Sequence, residues 1–299
     1  MMKLFAGSSS IELAEEIANN LKIKISASEF ERFSDRECIV RIKEEIKGET
    51  IYLLQSTCNP VNETLMELLI MADACLNNGA HKVHGILPYY GYSRQDRITV
   101  PGEPITTKLI AKLIEASGIS SVTTMDIHSK ATSESFNIPF NDLHFTDTLT
   151  KYLESKIKKD KKDYMIVGPD HGALERAERI AKSLGTDSAH IEKKRSKAEA
   201  ISTMELQAKV KGKNVILVDD LIGTGGTIIR AAELLKKEGA EEVSVAATHG
   251  VFANDAVERL QNSIISEIIV SNTIPQRRRI DKLTVLSVAE EFSNFIKKI

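Results

Sequence analysis

Short apolar runs alternate along this chain with stretches whose apolar positions recur every three to four residues, the spacing of a helix face. Residues 51–54 are one such run, residues 63–77 carry helical spacing, and residues 83–87 are the next run. The rhythm continues, with a strand-like run at residues 121–125 and apolar runs at residues 164–167 and 215–218. It predicts strand–helix–strand units, hence an α/β fold whose sheets are mainly parallel and flanked by helices. One stretch occurs in two versions. Gly48-Glu49-Thr50-Ile51-Tyr52-Leu53-Leu54-Gln55 leads through a helix to Asn78-Gly79-Ala80-His81-Lys82-Val83, and Gly212-Lys213-Asn214-Val215-Ile216-Leu217-Val218-Asp219 leads through another to Glu238-Gly239-Ala240-Glu241-Glu242-Val243. Two similar halves are the economical architecture, although any two such units share this outline and true duplication stays open.

The halves are expected as residues 1–143 and 144–299, with roughly the last 15 residues able to pack back on the first. The run Lys156-Ile157-Lys158-Lys159-Asp160-Lys161-Lys162-Asp163 near the boundary reads as a solvated helix end, and Arg277-Arg278-Arg279 as a solvated turn.

Length and charge narrow the class. The 299 residues, 42% of them apolar, suffice for a sizeable core. With 40 basic against 42 acidic side chains the net charge is −2, so no cationic field exists to hold nucleic acid or a lipid surface, and anion recognition must be local. Cys38, Cys58 and Cys75 are odd in number and lack CxxC spacing, which indicates neither a disulfide frame nor a zinc site. No window approaches the ~18 apolar residues of a membrane span, and the N-terminus lacks a signal-peptide run. A cytoplasmic protein is expected.

The sharpest feature is Val215-Ile216-Leu217-Val218-Asp219-Asp220-Leu221-Ile222-Gly223-Thr224-Gly225-Gly226-Thr227, followed by helical spacing from about residue 228 to 237. Glycines let backbone N–H groups converge on an anion without obstruction from Cβ, a helix N-terminus adds partial positive charge, and Thr224 and Thr227 offer hydroxyls. The run has neither the ending of a Walker loop nor the spacing of GxGxxG. Asp219 and Asp220 would repel bare phosphate but suit a vicinal diol or a divalent ion. Phosphate beside diol describes a sugar phosphate.

This loop resembles the ribose-phosphate motif of the type I phosphoribosyltransferase fold. Four further segments, Pro88-Tyr89-Tyr90-Gly91-Tyr92-Ser93-Arg94-Gln95-Asp96, Met125-Asp126-Ile127-His128, Gly168-Pro169-Asp170-His171-Gly172 and Glu192-Lys193-Lys194-Arg195, resemble in order the signatures of the ribose-phosphate pyrophosphokinase family. The likeness covers essentially the whole chain. It implies two phosphoribosyltransferase-like domains, the first contacting ATP and the second ribose 5-phosphate, and transfer of pyrophosphate from Mg-ATP to the C1 hydroxyl of the sugar.

Residue by residue, the resemblance implies ATP contacts from Arg94 and Gln95, and from Phe33, Asp35 and Glu37 of a neighbouring subunit, hence a homo-oligomer. It assigns magnesium to His128 and Asp170. It assigns catalysis to Lys193 and Arg195, with Lys194 a neighbour open to confusion with Lys193, and sugar-phosphate binding to Arg195, Asp219, Asp220, Gly223, Thr224, Gly225, Gly226 and Thr227. Read alone, the residues allow blander roles. Asp35 and Glu37 alternate as on one face of a strand, Arg94 has Asp96 as an ion-pair candidate, the tyrosines beside it could line a base pocket, and Asp170 could cap a helix. Residues 192–199 read as a mobile cationic loop able to close over a triphosphate.

Two departures stand out. Arg97-Ile98-Thr99-Val100-Pro101-Gly102-Glu103-Pro104 looks more like archaeal members, and Gly223 stands where many members carry an acid, so the resemblance leaves activation by phosphate and inhibition by ADP open. Two rivals are a phosphoribosyltransferase using the same loop and a catalytically silent homologue that regulates an active enzyme.

Overall fold

The computed structural model describes residues 2–160, 163–195 and 202–299. The chain divides into two compact units, Met1–His144 with Thr273–Pro275 and Val288–Ile299, and Phe145–Asn272 with Gln276–Ser287.

The first unit contains β1 (Met2–Ala6), α1 (Ile11–Leu21), β2 (Ser28–Arg32), β3 (Cys38–Ile42), β4 (Thr50–Leu54), α2 (Val61–Asn77), β5 (Lys82–Leu87), α3 (Thr106–Ala116), β6 (Ser121–Met125), the short α4 (Lys130–Ser133) and β7 (Phe140–Leu143). Its parallel sheet runs β1-β4-β5-β6-β7, and β2 and β3 form a separate antiparallel hairpin. Ile51, Leu53, Val83, Leu87 and Val122 bury fully against Leu68, Met71 and Cys75 of α2 and Ile114 of α3.

The second unit contains α5 (Thr146–Asp160), β8 (Tyr164–Gly168), a 3-10 turn at His171–Ala173, α6 (Leu174–Leu184), β9 (Asp187–Arg195), β10 (Ser202–Leu206), β11 (Asn214–Ile222), α7 (Gly226–Lys237), β12 (Glu242–Gly250), α8 (Ala256–Gln261), β13 (Ile268–Ser271) and β14 (Leu283–Leu286). Its sheet runs β10-β9-β8-β11-β12-β13-β14, parallel except for β9 against β10. The last helix, α9 (Ala289–Ile296), returns to the first unit and packs on α1.

The two related stretches fold alike. Gly48 and Gly212 both have φ in the left-handed region, +74° and +77°. Their amides bond the carbonyls of Gly79 (2.8 Å) and Gly239 (2.9 Å), while His81 bonds Glu49 and Glu241 bonds Lys213 at 2.8 and 2.9 Å. The register matches too, with Ile51 opposite Val83 and Val215 opposite Val243.

The fold corrects two readings. Glu192, Lys193, Lys194 and Arg195 lie in β9, with backbones paired to Glu205, Met204, Thr203 and Ser202 of β10, so this part of the expected loop is strand; the remainder, residues 196–199, lies outside the described residues. Asp35 and Glu37 do not share a strand face. They sit in the turn joining β2 to β3, where Phe33 N–H donates to Glu37 O (2.9 Å), Arg36 N–H to Phe33 O (2.9 Å), and Arg36 takes φ +75°. Strand β11 carries both aspartates, as the sequence suggests, and runs on to Ile222, so the loop begins at residue 223.

Candidate active site

In the second unit, three carboxylates gather at the C-terminal ends of adjacent strands, the place where open α/β sheets bind ligands. Asp219 and Asp220 belong to β11, and Asp170 follows β8 two residues after Gly168. Gly168 is needed there, because a Cβ would stand 3.1 Å from the Ala173 carbonyl carbon. Asp220 is 9% exposed, and its N–H donates to Asp219 Oδ1 at 2.9 Å. Burial, then the charge of Asp220 and, more weakly, that of Asp170 push the Asp219 carboxyl well above the ordinary aspartate range. Three carboxyls thus share the C-terminal edge of the sheet, close enough for their charges to be felt by Asp219.

The loop over residues 223–225 leads into α7. Gly225 has φ +73°, and a Cβ there would meet Leu260 Cγ at 3.2 Å. No side chain caps the helix. Among the described residues, the N–H groups of Gly223, Thr224, Gly225 and Gly226 donate to no acceptor, whereas the carbonyls on the same peptides are engaged. Ile222 O accepts from Val251 N–H (3.1 Å) and Phe252 N–H (3.0 Å), and Gly223 O from Ala253 N–H (3.1 Å). Thr224 O accepts from Arg259 Nη1 at 3.3 Å. A trans peptide points its N–H opposite to its C=O. Carbonyls held toward residues 251–259 therefore turn successive N–H groups to the other side, where with the α7 N-terminus they form a concave anion seat. Thr224 is exposed and Thr227 half-buried beside it.

Lys193 and Arg195 enter the second unit on the backbone of β9, next to β8. Arg176, on α6 behind Asp170, donates to Thr248 Oγ1 at 3.4 Å.

In the first unit, the hairpin turn carries Phe33, 49% exposed, with Asp35 and Glu37, whose N–H donates to Asp35 Oδ1 at 3.1 Å. The hairpin is tied to α2. Arg32 pairs with Glu63 at 3.0 Å and with the buried Glu67, and Arg36 pairs with Glu63 at 3.0 Å. Arg32, Glu37, Cys38, Asn62, Met66 and Ile70 line a cavity of about 440 Å³ between them.

Arg94 and Gln95 lie in an exposed turn. Gln95 Oε1 accepts from Thr106 Oγ1 (2.6 Å) and its N–H bonds Tyr92 O (2.9 Å). The expected partner of Arg94 belongs elsewhere: Asp96 lies 3.8 Å from Arg97, and among the described residues Arg94 has no ion pair. Tyr89 and Tyr90 beside this turn are both buried, and Tyr90 Oη donates to Thr107 O at 3.0 Å.

His128 is exposed just beyond β6. Its loop is held by β7: Asp126, at φ +44°, donates its N–H to Leu143 O (2.9 Å), and Ile127 N–H reaches Asp142 Oδ1 (3.2 Å). His144 Nδ1 stands 3.1 Å from Asp126 Oδ1.

Several of these supports were not legible in the sequence. Glu67 looks like an ordinary helix-surface acid, yet it is 2% exposed and accepts from Gln55 Nε2 (2.9 Å), Ser8 and Arg32. Arg259 belongs to no motif and lies far along the chain from the loop it touches.

Comparisons with known proteins agree across the chain. A family profile described as the N-terminal domain of ribose phosphate pyrophosphokinase matches residues 2–118, and one described as the phosphoribosyl synthetase-associated domain matches residues 187–299. The ribose-phosphate pyrophosphokinase of Caldanaerobacter subterraneus subsp. tengcongensis is 45% identical over 100% of this chain and 94% of its own length. That of Clostridium perfringens is 43% identical over the same shares, 100% and 94%. The crystal structure of phosphoribosylpyrophosphate synthetase from Mycobacterium smegmatis superposes with a TM-score of 0.92 at 37% identity, covering 99% of this chain and 97% of that one. Identity of this extent, on the same two-sheet fold, makes the chain a member of the ribose-phosphate pyrophosphokinase family.

Proposed function

We propose that the chain transfers the β,γ-diphosphoryl group of Mg-ATP to the C1 hydroxyl of ribose 5-phosphate. The C1 oxygen bonds to the β-phosphorus, the bond from that phosphorus to the α,β-bridging oxygen breaks, AMP departs and the hydroxyl proton is lost to solvent. The observation that carries this reading is the seat after β11, four unengaged N–H groups beside paired carboxylates. The N–H groups and the hydroxyls of Thr224 and Thr227 would hold the 5-phosphate, with Gly223, Gly225 and Gly226 admitting it closely. Asp219 and Asp220 would accept from the ribose hydroxyls.

Arg94 and Gln95 would orient ATP, together with Phe33, Asp35 and Glu37 of a second copy. Arg195 would also reach the sugar phosphate, and with Lys193 it would neutralise charge developing on the transferred group, since phosphoryl transfer depends mainly on positioning and charge.

The donors fit a divalent cation. Asp170 adds its charge to a pair of carboxylates already crowded enough to raise Asp219, and a cation relieves that repulsion. Magnesium takes one or two protein carboxylates and fills its shell with water and phosphate oxygens. Asp170 and His128 would hold it, and it would screen the phosphate oxygens.

The deciding assay is AMP release by the purified protein from ATP plus ribose 5-phosphate, with magnesium and no base. Release sensitive to Asp219→Asn is expected. A phosphoribosyltransferase or a silent homologue releases none. Self-association rests on the same reading, and a solution mass of one chain, 33.1 kDa, at assay concentration would remove it. No helix among the described residues is long and apolar enough to cross a membrane, and the three cysteines are free, which suits a reducing cytoplasm.

A further inference from the structure

The anion seat is shaped from behind by a segment no motif announces. Residues 222, 223 and 224 present consecutive carbonyls to residues 251–259, and two of these links are backbone to backbone. The third is different. Thr224 O is held by the side chain of Arg259, on α8, through Nη1 at 3.3 Å. The next residue, Leu260, is fully buried and packs beneath Gly225, where a Cβ would come within 3.2 Å of it. The Arg259 guanidinium also lies against the start of α7, its Nη2 at 3.4 Å from the place a Cβ on Gly226 would occupy.

The peptide joining Thr224 to Gly225 is free to rotate, since Gly225 populates both signs of φ readily. If it flips, its carbonyl faces the anion in place of its N–H, and attraction becomes repulsion. A hydrogen bond to Thr224 O opposes that flip.

We propose that Arg259 is a positioning residue for the anion seat: by bonding the Thr224 carbonyl it keeps the Gly225 N–H turned toward the phosphate of a sugar phosphate. The proposal rests on the ribose 5-phosphate reading of the loop. Arg259 need not touch substrate. Its action should be felt in sugar-phosphate binding and not in nucleotide binding, and a neutral donor of similar reach should replace it.

Steady-state kinetics and calorimetry on the full-length protein test this with Arg259→Ala and Arg259→Gln. Losing one such bond should raise the KM and Kd for ribose 5-phosphate about tenfold in Arg259→Ala. Inhibition by inorganic phosphate should weaken by a like factor, while the KM for ATP and kcat at saturating sugar phosphate stay within about twofold. Arg259→Gln should recover most of the affinity through its amide donor. The proposal falls if Arg259→Ala leaves the sugar-phosphate KM unchanged, or raises both KM values together with a lowered melting temperature. It falls as well if Arg259→Gln is as impaired as Arg259→Ala, since charge and not the bond would then matter. Calorimetry on the unaltered protein separates the two levels: no uptake of ribose 5-phosphate removes the underlying reading, whereas normal uptake unaffected by Arg259→Ala removes only the role of Arg259.

Discussion

The crossovers β4–α2–β5 and β11–α7–β12 agree at one end and part company at the other. Where each helix returns to its sheet they use the same glycines, the same left-handed turns and hydrogen bonds equal to within 0.2 Å. Where strand meets helix they diverge. After β4, the N–H groups of Gln55, Ser56 and Thr57 are committed within the protein, to Ile86 O (2.9 Å), Ser10 Oγ (2.8 Å) and Tyr89 O (3.0 Å). Gln55 is itself locked to Ser9 and Glu67. After β11 the strand runs on through Asp219 and Asp220 to Ile222, and the first loop donors, the N–H groups of Gly223 to Gly226, have no acceptor among the described residues. Buried backbone donors are normally satisfied, so a run of open ones marks where a ligand completes the structure. The same supersecondary unit is thus a structural brace in one half and a receptor in the other, and the difference lies in whether acceptors within the protein, two backbone carbonyls and one hydroxyl after β4, claim the loop amides.

Four changes probe that contrast. At the receptor end, Lys193→Ala should reduce AMP-release turnover by about 10²–10³, the usual loss of one charged donor at a developing charge; near-normal turnover would dissociate β9 from the chemistry. Asp219→Asn should raise the KM for ribose 5-phosphate by about tenfold or more. The same change should raise the melting temperature at neutral pH, because it removes a charge held against burial and against Asp220. A lower melting temperature would show that the carboxylate stabilises the ligand-free fold.

At the shared end, Gly79→Ala and Gly239→Ala test whether the likeness is energetic as well as geometric. Their φ values are +85° and +93°, and a Cβ would meet Lys47 Cγ at 3.2 Å and Lys211 Cγ at 3.1 Å. Each should cost about 1–2 kcal/mol in denaturant titration and leave the KM for sugar phosphate unchanged. Unequal costs would break the parallel.

The smallest effect concerns Glu267, at the foot of β13. Burial alone would raise its carboxyl, but Lys156 and the Tyr152 hydroxyl outweigh it and hold the value below the ordinary 4.5. A depressed acid stabilises the fold above its unfolded value and ceases to do so as pH falls through its folded one. Glu267→Gln should therefore cost about 1 kcal/mol at neutral pH, with the gap closing as the pH drops below 4.5. A gap independent of pH would assign the loss to packing.

Strands buried on both faces were legible almost to the residue: the run at 121–125 is β6, and those at 51–54 and 83–87 are β4 and β5 less one polar residue each. An apolar or, as in β6, Val- and Thr-rich run of four or five residues between turn signals fits little besides a buried strand. Strand β9 was misread at its end because Glu192-Lys193-Lys194-Arg195 is polar throughout, and strand character there comes from pairing with β10, which residue type does not announce. The hairpin turn was misread because Arg36, a residue with no preference for positive φ, occupies the left-handed position. Charged side chains that support the site, Arg259 and Glu67 among them, gave no signal because their meaning lies in partners distant along the chain.

The path of the chain through its two units has a consequence for synthesis. Helix α9, with Phe292 and Ile296 buried, belongs to the unit that begins at the N-terminus and rests on α1. A ribosome delivering residues in order therefore finishes the second sheet before it releases the piece that covers α1, so the half begun first is the half completed last. A nascent chain stalled before residue 288 would carry every residue of the anion seat and still expose an apolar helix face near its N-terminus.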